Sequence, residues 1–281
     1  MTDQEFAKII QLITKSTGII PRDSHTTGIK NYVEKREEEI SSETKAVSYF
    51  DFLSTDTNEM RNLIDYSTVN ETYFFREEAQ FDVLKNKVFP VLAEMCGKKI
   101  KIWSAASSSG EEIYSLYLLA KSMGICTDCI ASDINRRMLS ACEAGVYKKK
   151  ALRTVDGTKF HNLLEDFMDA DGNLSIPDEI RANVEKKRIN LVKLLDYPKG
   201  QHLVFVRNVF IYFSSDMKKR ILEKIVAESL VPGGYLFVSM NEVASLDKTI
   251  LPEQLEKMSD GKVFYFRKKN KEDVWNKISK L

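Results

Sequence analysis

The chain has 281 residues, with 42 Lys and Arg against 41 Asp and Glu, for a formal charge of +1. That balance excludes a polybasic binder of nucleic acid or of a membrane surface. The length suggests one large or two small domains, and a 43% hydrophobic share with six Pro and 12 Gly fits a folded chain rather than extended disorder.

In chain order, residues 1 to 68 read as helical, because apolar residues recur at helical spacing. They are Phe6, Ile9, Ile10 and Ile13, then Ile29, Tyr32 and Val33, then Met60, Leu63 and Ile64. Pro21 and the polar stretch Asp23 to Thr27 separate the first helix from the second. On that second helix Lys30, Lys35 and Arg36 are diluted by a run of Glu, which fits a solvated face or a partner-docking face. Phe81, Leu84, Val88 and Leu92 predict a helix over 77–95, bent or ended near Pro90.

Short β-rich runs then alternate with helical stretches. Strands are predicted at 99–103, 129–133, 202–208, 234–240 and 263–268, and helices at 111–123, 135–145 and 216–230. This alternation predicts an α/β fold, a mostly parallel sheet with helices on both faces. Between 147 and 188 it lapses; Asp171-Gly172 between apolar flanks predicts a small antiparallel insertion.

The strongest local signal is KIWSAASSSGEEIYSLYLL. A strand ends near Trp103, seven small residues follow, and a helix opens with Glu111 and Glu112. Small residues at the carboxyl end of a strand let a ligand approach the backbone, while two Glu in the first helical turn disfavour a pyrophosphate. Asp133 closes the next strand, where an acid commonly accepts bonds from ribose hydroxyls; taken alone, it could equally cap the following helix. Arg76, in NETYFFREE, could simply pair with Glu77 or Glu78 on the surface. Arg207, Asn208 and Tyr212 lie just past a central strand, where open α/β sheets bind ligands.

Other patterns read as decoys. Cys126 and Cys129 form a C-x-x-C with no second pair, and the three histidines are scattered, so no metal site is expected. Asp169, Asp171 and Asn173 imitate the start of a calcium loop, but Leu174 and Ile180 stand where Gly and Glu are required. The opening MTDQEFAKII has no secretory character, the apolar runs are far shorter than the roughly 18 residues of a bilayer span, and four cysteines are too few for a disulfide framework. A reduced, cytoplasmic protein without membrane insertion is expected.

Taken in order, NETYFFRE, KIWSAASSSGEEIYSLYLL, ASDINRRMLSACEAGVY, INLVKLL, FVRNVFIYF and PGGYLFVSMNE resemble the chemotaxis receptor methyltransferase family, CheR, over about 200 residues. The helical leader is similar to that family's amino-terminal domain. The resemblance implies a helical domain at 1–68 and a Rossmann-like S-adenosylmethionine-dependent methyltransferase domain at 69–281, with a β-subdomain inserted at about 147–188. It also implies an enzyme that esterifies glutamate side chains on the cytoplasmic domain of chemoreceptors and releases S-adenosylhomocysteine.

Carried over by motif, Asn70, Thr72, Arg76, Ala105, Glu112, Asp133, Asn190, Leu191, Arg207 and Asn208 match cofactor-contacting positions. Glu112 would lie near the methionine amino group, Asp133 at the ribose, and Asn190 and Leu191 beside the adenine. Arg76 and Tyr212 match the pair bordering the methyl group. The sequence departs from the family in the diluted charge of its second helix, in S-S-S-G after the first strand, and in S-M-N-E where G-H-S-E is common.

A glutamate carboxylate, with a pKa of about 4.3, is ionised at neutral pH and attacks a sulfonium methyl without a general base. The absence of His and Cys from the candidate site residues is therefore expected. A cofactor-binding adaptor without turnover is the rival reading, disfavoured by the presence of both Arg76 and Tyr212. A nucleic-acid methyltransferase is disfavoured by R-N-V-F-I-Y-F at the end of the strand predicted at 202–208 and by the lack of a Pro-Cys. A monomer is expected.

Overall fold

A computed structural model describes residues 1–43, 48–97, 99–153 and 159–270. They form two compact units, Met1–Val69 with Tyr212–Met217, and Asn70–Ile211 with Lys218–Leu281.

In the first unit, helix α1 (Asp3–Thr17) starts at a capping box. The Thr2 hydroxyl accepts from Glu5 N, and the Glu5 carboxylate accepts from Thr2 N at 2.8 Å. It ends at Gly18, whose φ of 71° suits a residue without Cβ. Ile9 and Ile13 meet Ile29, Val33 and Ile40 of α2 (Asp23–Glu43), Tyr49 and Leu53 of α3 (Tyr49–Thr55), and Leu63 of α4 (Thr57–Ser67). Because α2 begins at Asp23, the polar stretch read as a break supplies its first turns, and the break is confined to 18–22. Inside this apolar cluster sits Glu59, 3% exposed, which accepts from Arg36 Nε (3.0 Å), Arg36 Nη2 (2.8 Å) and the Tyr49 hydroxyl (2.8 Å).

The second unit opens with an extended segment and α5 (Glu78–Val83). A π-helical turn (Leu84–Val88) then leads into α6 (Phe89–Cys96), with Pro90 in the first turn of α6. Proline lacks the N–H that a regular helix needs. The chain absorbs this by inserting one residue, so that Phe89 N donates to Leu84 O, five residues back.

The sheet has seven strands in the order β5-β2-β1-β6-β7-β9-β8: β1 (Lys99–Ala105), β2 (Cys126–Asp133), β5 (Val184–Arg188), β6 (Gln201–Val206), β7 (Leu230–Phe237), β8 (Leu255–Asp260) and β9 (Val263–Lys268). β5, β2, β1, β6 and β7 run parallel, and β9 returns antiparallel beside β7 with β8 antiparallel to it. Helix α7 (Glu111–Ser122) packs on β1 and β2, and α8 (Arg136–Ala144) on β2 and β5. The order reverses between β1 and β6, and their carboxyl ends open the crevice where such sheets bind ligands.

The antiparallel excursion is small. β3 (Val146–Tyr147) pairs with β4 (Leu174–Ser175), and α9 (Asp178–Arg181) follows. The expected end of the insertion at 188 needs correction, since Val184–Arg188 is an edge strand of the main sheet, in register with Cys129–Asp133. Its sequence, VEKKR, carries too little apolar character to read as a strand, because an edge strand buries only part of its surface. β8, with the sequence LEKMSD, is the opposite edge and was missed for the same reason.

Candidate functional site

At the reversal point β1 ends in fully buried Ala105, and the chain turns through positive φ at Ala106 (62°), Ser108 (50°) and Gly110 (95°) before α7. Such angles are strained outside glycine and persist only where surroundings over-determine them. Here Ser107 N donates to Ser132 O (2.8 Å), Ser108 N to Asp133 Oδ2 (2.8 Å), and the Ser108 hydroxyl to Asn70 O (3.2 Å). Gly110 is required by packing, since a Cβ there would lie 2.4 Å from Cys142 Sγ.

Asp133 also accepts from Asn135 N at 2.9 Å, but the cap of α8 is Asn135, whose Oδ1 accepts from Arg137 N and Met138 N. The alternative of Asp133 as that cap is thereby settled.

Arg207, 4% exposed just beyond β6, is the centre of a network. Its Nη1 lies 3.2 Å from Glu112 Oε2, and its Nη2 donates to Arg76 O (2.6 Å) and lies 3.4 Å from Glu77 Oε2. The Glu112 carboxylate also accepts from the Ser104 hydroxyl at 2.6 Å. Burial pushes the Glu112 carboxyl above the usual range, against the pull of Arg207 and Ser104. Arg207 Nε and Ser107 Oγ are buried without a hydrogen-bond partner.

Beside this network, Glu77, at φ 60°, accepts from the Ser239 hydroxyl and from Met240 N (3.1 Å). Glu242, 1% exposed, accepts from Asn208 N (2.9 Å), Ser239 N (3.2 Å) and Ile211 N (3.2 Å). Asn208, at φ 56°, also donates from Nδ2 to Ser239 Oγ (3.1 Å). Burial raises the Glu242 carboxyl pKa despite these amide donors.

The fold thus brings together Arg76, Glu112, Arg207 and Asn208, and separately ties Asp133 to the loop after β1. Arg76 does not pair with Glu77 through its guanidinium; its Nη1 donates to Glu71 O (2.7 Å), and its guanidinium carbon lies 5.4 Å from the Tyr73 ring centre. Asn70 and Thr72 are half-buried in the segment before α5. Asn190 Oδ1 accepts from Val192 N (3.2 Å) at the head of a short turn that buries Leu191. Tyr212 ends the 3-10 turn Phe210–Tyr212 and belongs to the first unit, where its carbonyl accepts from Ile20 N (3.1 Å).

Sequence reasoning missed Ser104, Glu77 and Ser239 as site partners, and met Glu242 only as the acid that S-M-N-E keeps in common with the family's G-H-S-E. Glu242 gave one signal, a lone acid five residues past an apolar strand; Glu77 was hidden among three consecutive charges. Among the described residues no cluster of His, Cys, Asp and Glu can hold a metal. Cys126 is exposed and Cys129 buried on one strand. Asp169 accepts from Asp171 N, Asn173 N and Asn173 Nδ2, which makes that stretch a turn. Among the described residues no helix is long and apolar enough to cross a membrane.

Residues 70–259 match the family model described as CheR methyltransferase, SAM binding domain. The chain belongs to the CheR methyltransferase family. It is 35% identical to chemotaxis protein methyltransferase 1 of Vibrio cholerae over 86% of this chain and 90% of that protein. It is 34% identical to the chemotaxis protein methyltransferase of Vibrio anguillarum over the same shares. A second Vibrio cholerae protein, chemotaxis protein methyltransferase 2, is 29% identical over 97% of this chain and 96% of its own length.

As a member of the CheR family the protein is an S-adenosylmethionine-dependent methyltransferase. The donor set fits that cofactor. Glu112 and Arg207 set a carboxylate beside a guanidinium, the complement of an amino-acid zwitterion. Asp133 stands at the end of β2, the position of a ribose acceptor in such sheets.

Proposed function

We propose that the protein transfers methyl groups to glutamate side-chain carboxylates on the cytoplasmic domain of chemoreceptors, forming glutamate methyl esters. The observation that carries the reading is the Glu112–Arg207 pair at the point where the strand order reverses, in a chain of the CheR family. The relatives' shared name, chemotaxis protein methyltransferase, supports the choice of substrate.

In this reading Glu112 receives the amino group and Arg207 the carboxylate end of the cofactor's methionine, Asp133 the ribose hydroxyls, and Asn190 and Leu191 the adenine. Asn70 and Thr72 line the segment before α5, Ala105 lets the ligand approach the backbone, and Asn208 borders the sulfur end. When bound, S-adenosylmethionine supplies a methyl group on a positively charged sulfur. The substrate glutamate arrives ionised, so no residue of this chain needs to remove a proton.

What the chain must do is align the attacking oxygen and exclude water from it. Positioning of this kind can lower a barrier by about 7 to 11 kcal/mol. Arg76 holds the substrate carboxylate or closes the cofactor pocket.

The test is to incubate the protein with methyl-labelled S-adenosylmethionine and a receptor cytoplasmic fragment, then collect volatile label after mild base. Release of labelled methanol is expected, as from a carboxyl methyl ester. Label that survives base would place the methyl on nitrogen or sulfur and overturn the glutamate reading.

A further inference from the structure

Glu242 has no place in the cofactor contacts proposed above, yet it is among the most buried charged groups of the second unit, at 1% exposure. An ionised carboxylate is costly to bury unless hydrogen bonds compensate. Its compensation comes from main chain, with Asn208 N and Ser239 N on Oε2, Ile211 N on Oε1, and a further bond from the Phe210 backbone. Three of these donors lie in the loop that leaves β6 and one in the loop that leaves β7, so a single carboxylate spans the carboxyl ends of neighbouring strands.

One of the gripped residues is Asn208, whose φ of 56° lies in the left-handed region. Asn tolerates that region better than most residues, but still at some cost. Its main-chain N–H is fixed by Glu242, and its side-chain amide by Ser239 Oγ, itself held by the Glu77 carboxylate. The residue before it is Arg207, whose guanidinium meets Glu112.

We infer that Glu242 is a positioning residue for methyl transfer. Its carboxylate holds the Arg207–Ile211 loop in its strained course, and so sets Asn208 against the cofactor. The inference deepens the cofactor site proposed above and rests on that reading.

The replacement Glu242→Gln nearly preserves shape, but its amide nitrogen must face either Ile211 N–H or the Asn208 and Ser239 N–H pair. Either orientation sets donor against donor. Loss of a hydrogen bond to a charged group corresponds to about a 10- to 100-fold change in an equilibrium.

The experiment is a double-mutant cycle read by calorimetric binding of S-adenosylhomocysteine to the wild type, Glu242→Gln, Asn208→Ala and the double variant, with thermal unfolding of each. Each single variant is expected to weaken binding at least about tenfold, and the double variant to be little worse than the weaker single, because both act through one loop. In the Asn208→Gly background, where the left-handed backbone is relaxed, Glu242→Gln should cost several-fold less than in the wild type. Multiplicative losses in the double variant, or an undiminished loss in the glycine background, would overturn the inference by showing that Glu242 acts on stability at large. Should Glu242→Gln fail to fold, Glu242→Asp keeps the charge with a shorter reach, and the same cycle decides. A wild type that does not bind S-adenosylhomocysteine would overturn the cofactor assignment and the inference with it, whereas additivity in a wild type that binds removes the inference alone.

Discussion

Glu59 in the helical unit and Glu112 in the sheet unit both sit beside an arginine and away from solvent, Glu59 at 2.8 Å from Arg36 and Glu112 at 3.2 Å from Arg207. Burial pulls both carboxyl pKa values upward. Around Glu59, the bonds from Arg36, Tyr49 and Asn62 outweigh burial and hold the carboxyl below the usual range. Around Glu112, burial prevails. The first carboxylate is surrounded by donors from its own unit, so its interactions are complete within the fold. The second shares its arginine with Glu77 and the Arg76 carbonyl.

The hardest test of that contrast is Arg207→Ala. It strips the cation from both Glu112 and Glu77, and breaking a buried pair from one side costs about 3–5 kcal/mol. Urea unfolding should show this loss, and titration with S-adenosylhomocysteine should show binding abolished. Next comes Glu59→Gln, expected to lower unfolding stability by about 1.5–3 kcal/mol through lost charge-assisted bonds while cofactor affinity stays within error. A large loss of affinity there would erase the distinction.

Glu112→Gln should behave in the opposite way. Stability at neutral pH holds or rises, because an amide is less costly to bury than a carboxylate, while affinity falls by about 1–2 kcal/mol in calorimetry. If unfolding and affinity dropped together, Glu112 would be a structural group like Glu59.

The smallest effect is in the pH dependence. The lowered pKa of Glu59 contributes stability that is present above the unfolded value of about 4.3 and is lost as pH falls through the folded value. For Glu112 and Glu242, whose folded values are raised, the sign reverses. Their penalty is absent below about 4.3 and grows as pH rises through the folded value. Unfolding free energies of the wild type, Glu59→Gln and Glu112→Gln between about pH 3 and 7 should therefore diverge in opposite directions.

The sequence displayed the central strands because HLVFV, covered on both faces, is almost continuously apolar, while KIKIW buries Ile100, Ile102 and Trp103 with only Lys99 and Lys101 exposed. It concealed the two edges, VEKKR and LEKMSD, whose charges discourage pairing with other chains and blur the strand pattern. In the site region, residues carried by compact motifs could be named from the string, Arg207 and Asn208 among them. Their partners could not. Glu77 reaches Met240 across 163 positions and Arg207 reaches Arg76 across 131, and no local pattern encodes such distances.

The π-helical turn at Leu84–Val88 has a consequence for helix phase. Each residue of an α-helix turns the chain by about 100° and advances it by about 1.5 Å. The extra residue ahead of Pro90 therefore acts as an angular offset between α6, which packs on β1, and α5, whose Gln80 side chain donates to Val238 O at 2.7 Å. Deleting one residue between 84 and 88 would restore a regular helix and rotate everything before it by a quarter turn or more. Gln80 would lose its carbonyl and Glu77 would swing off the strand ends, although neither residue had been changed.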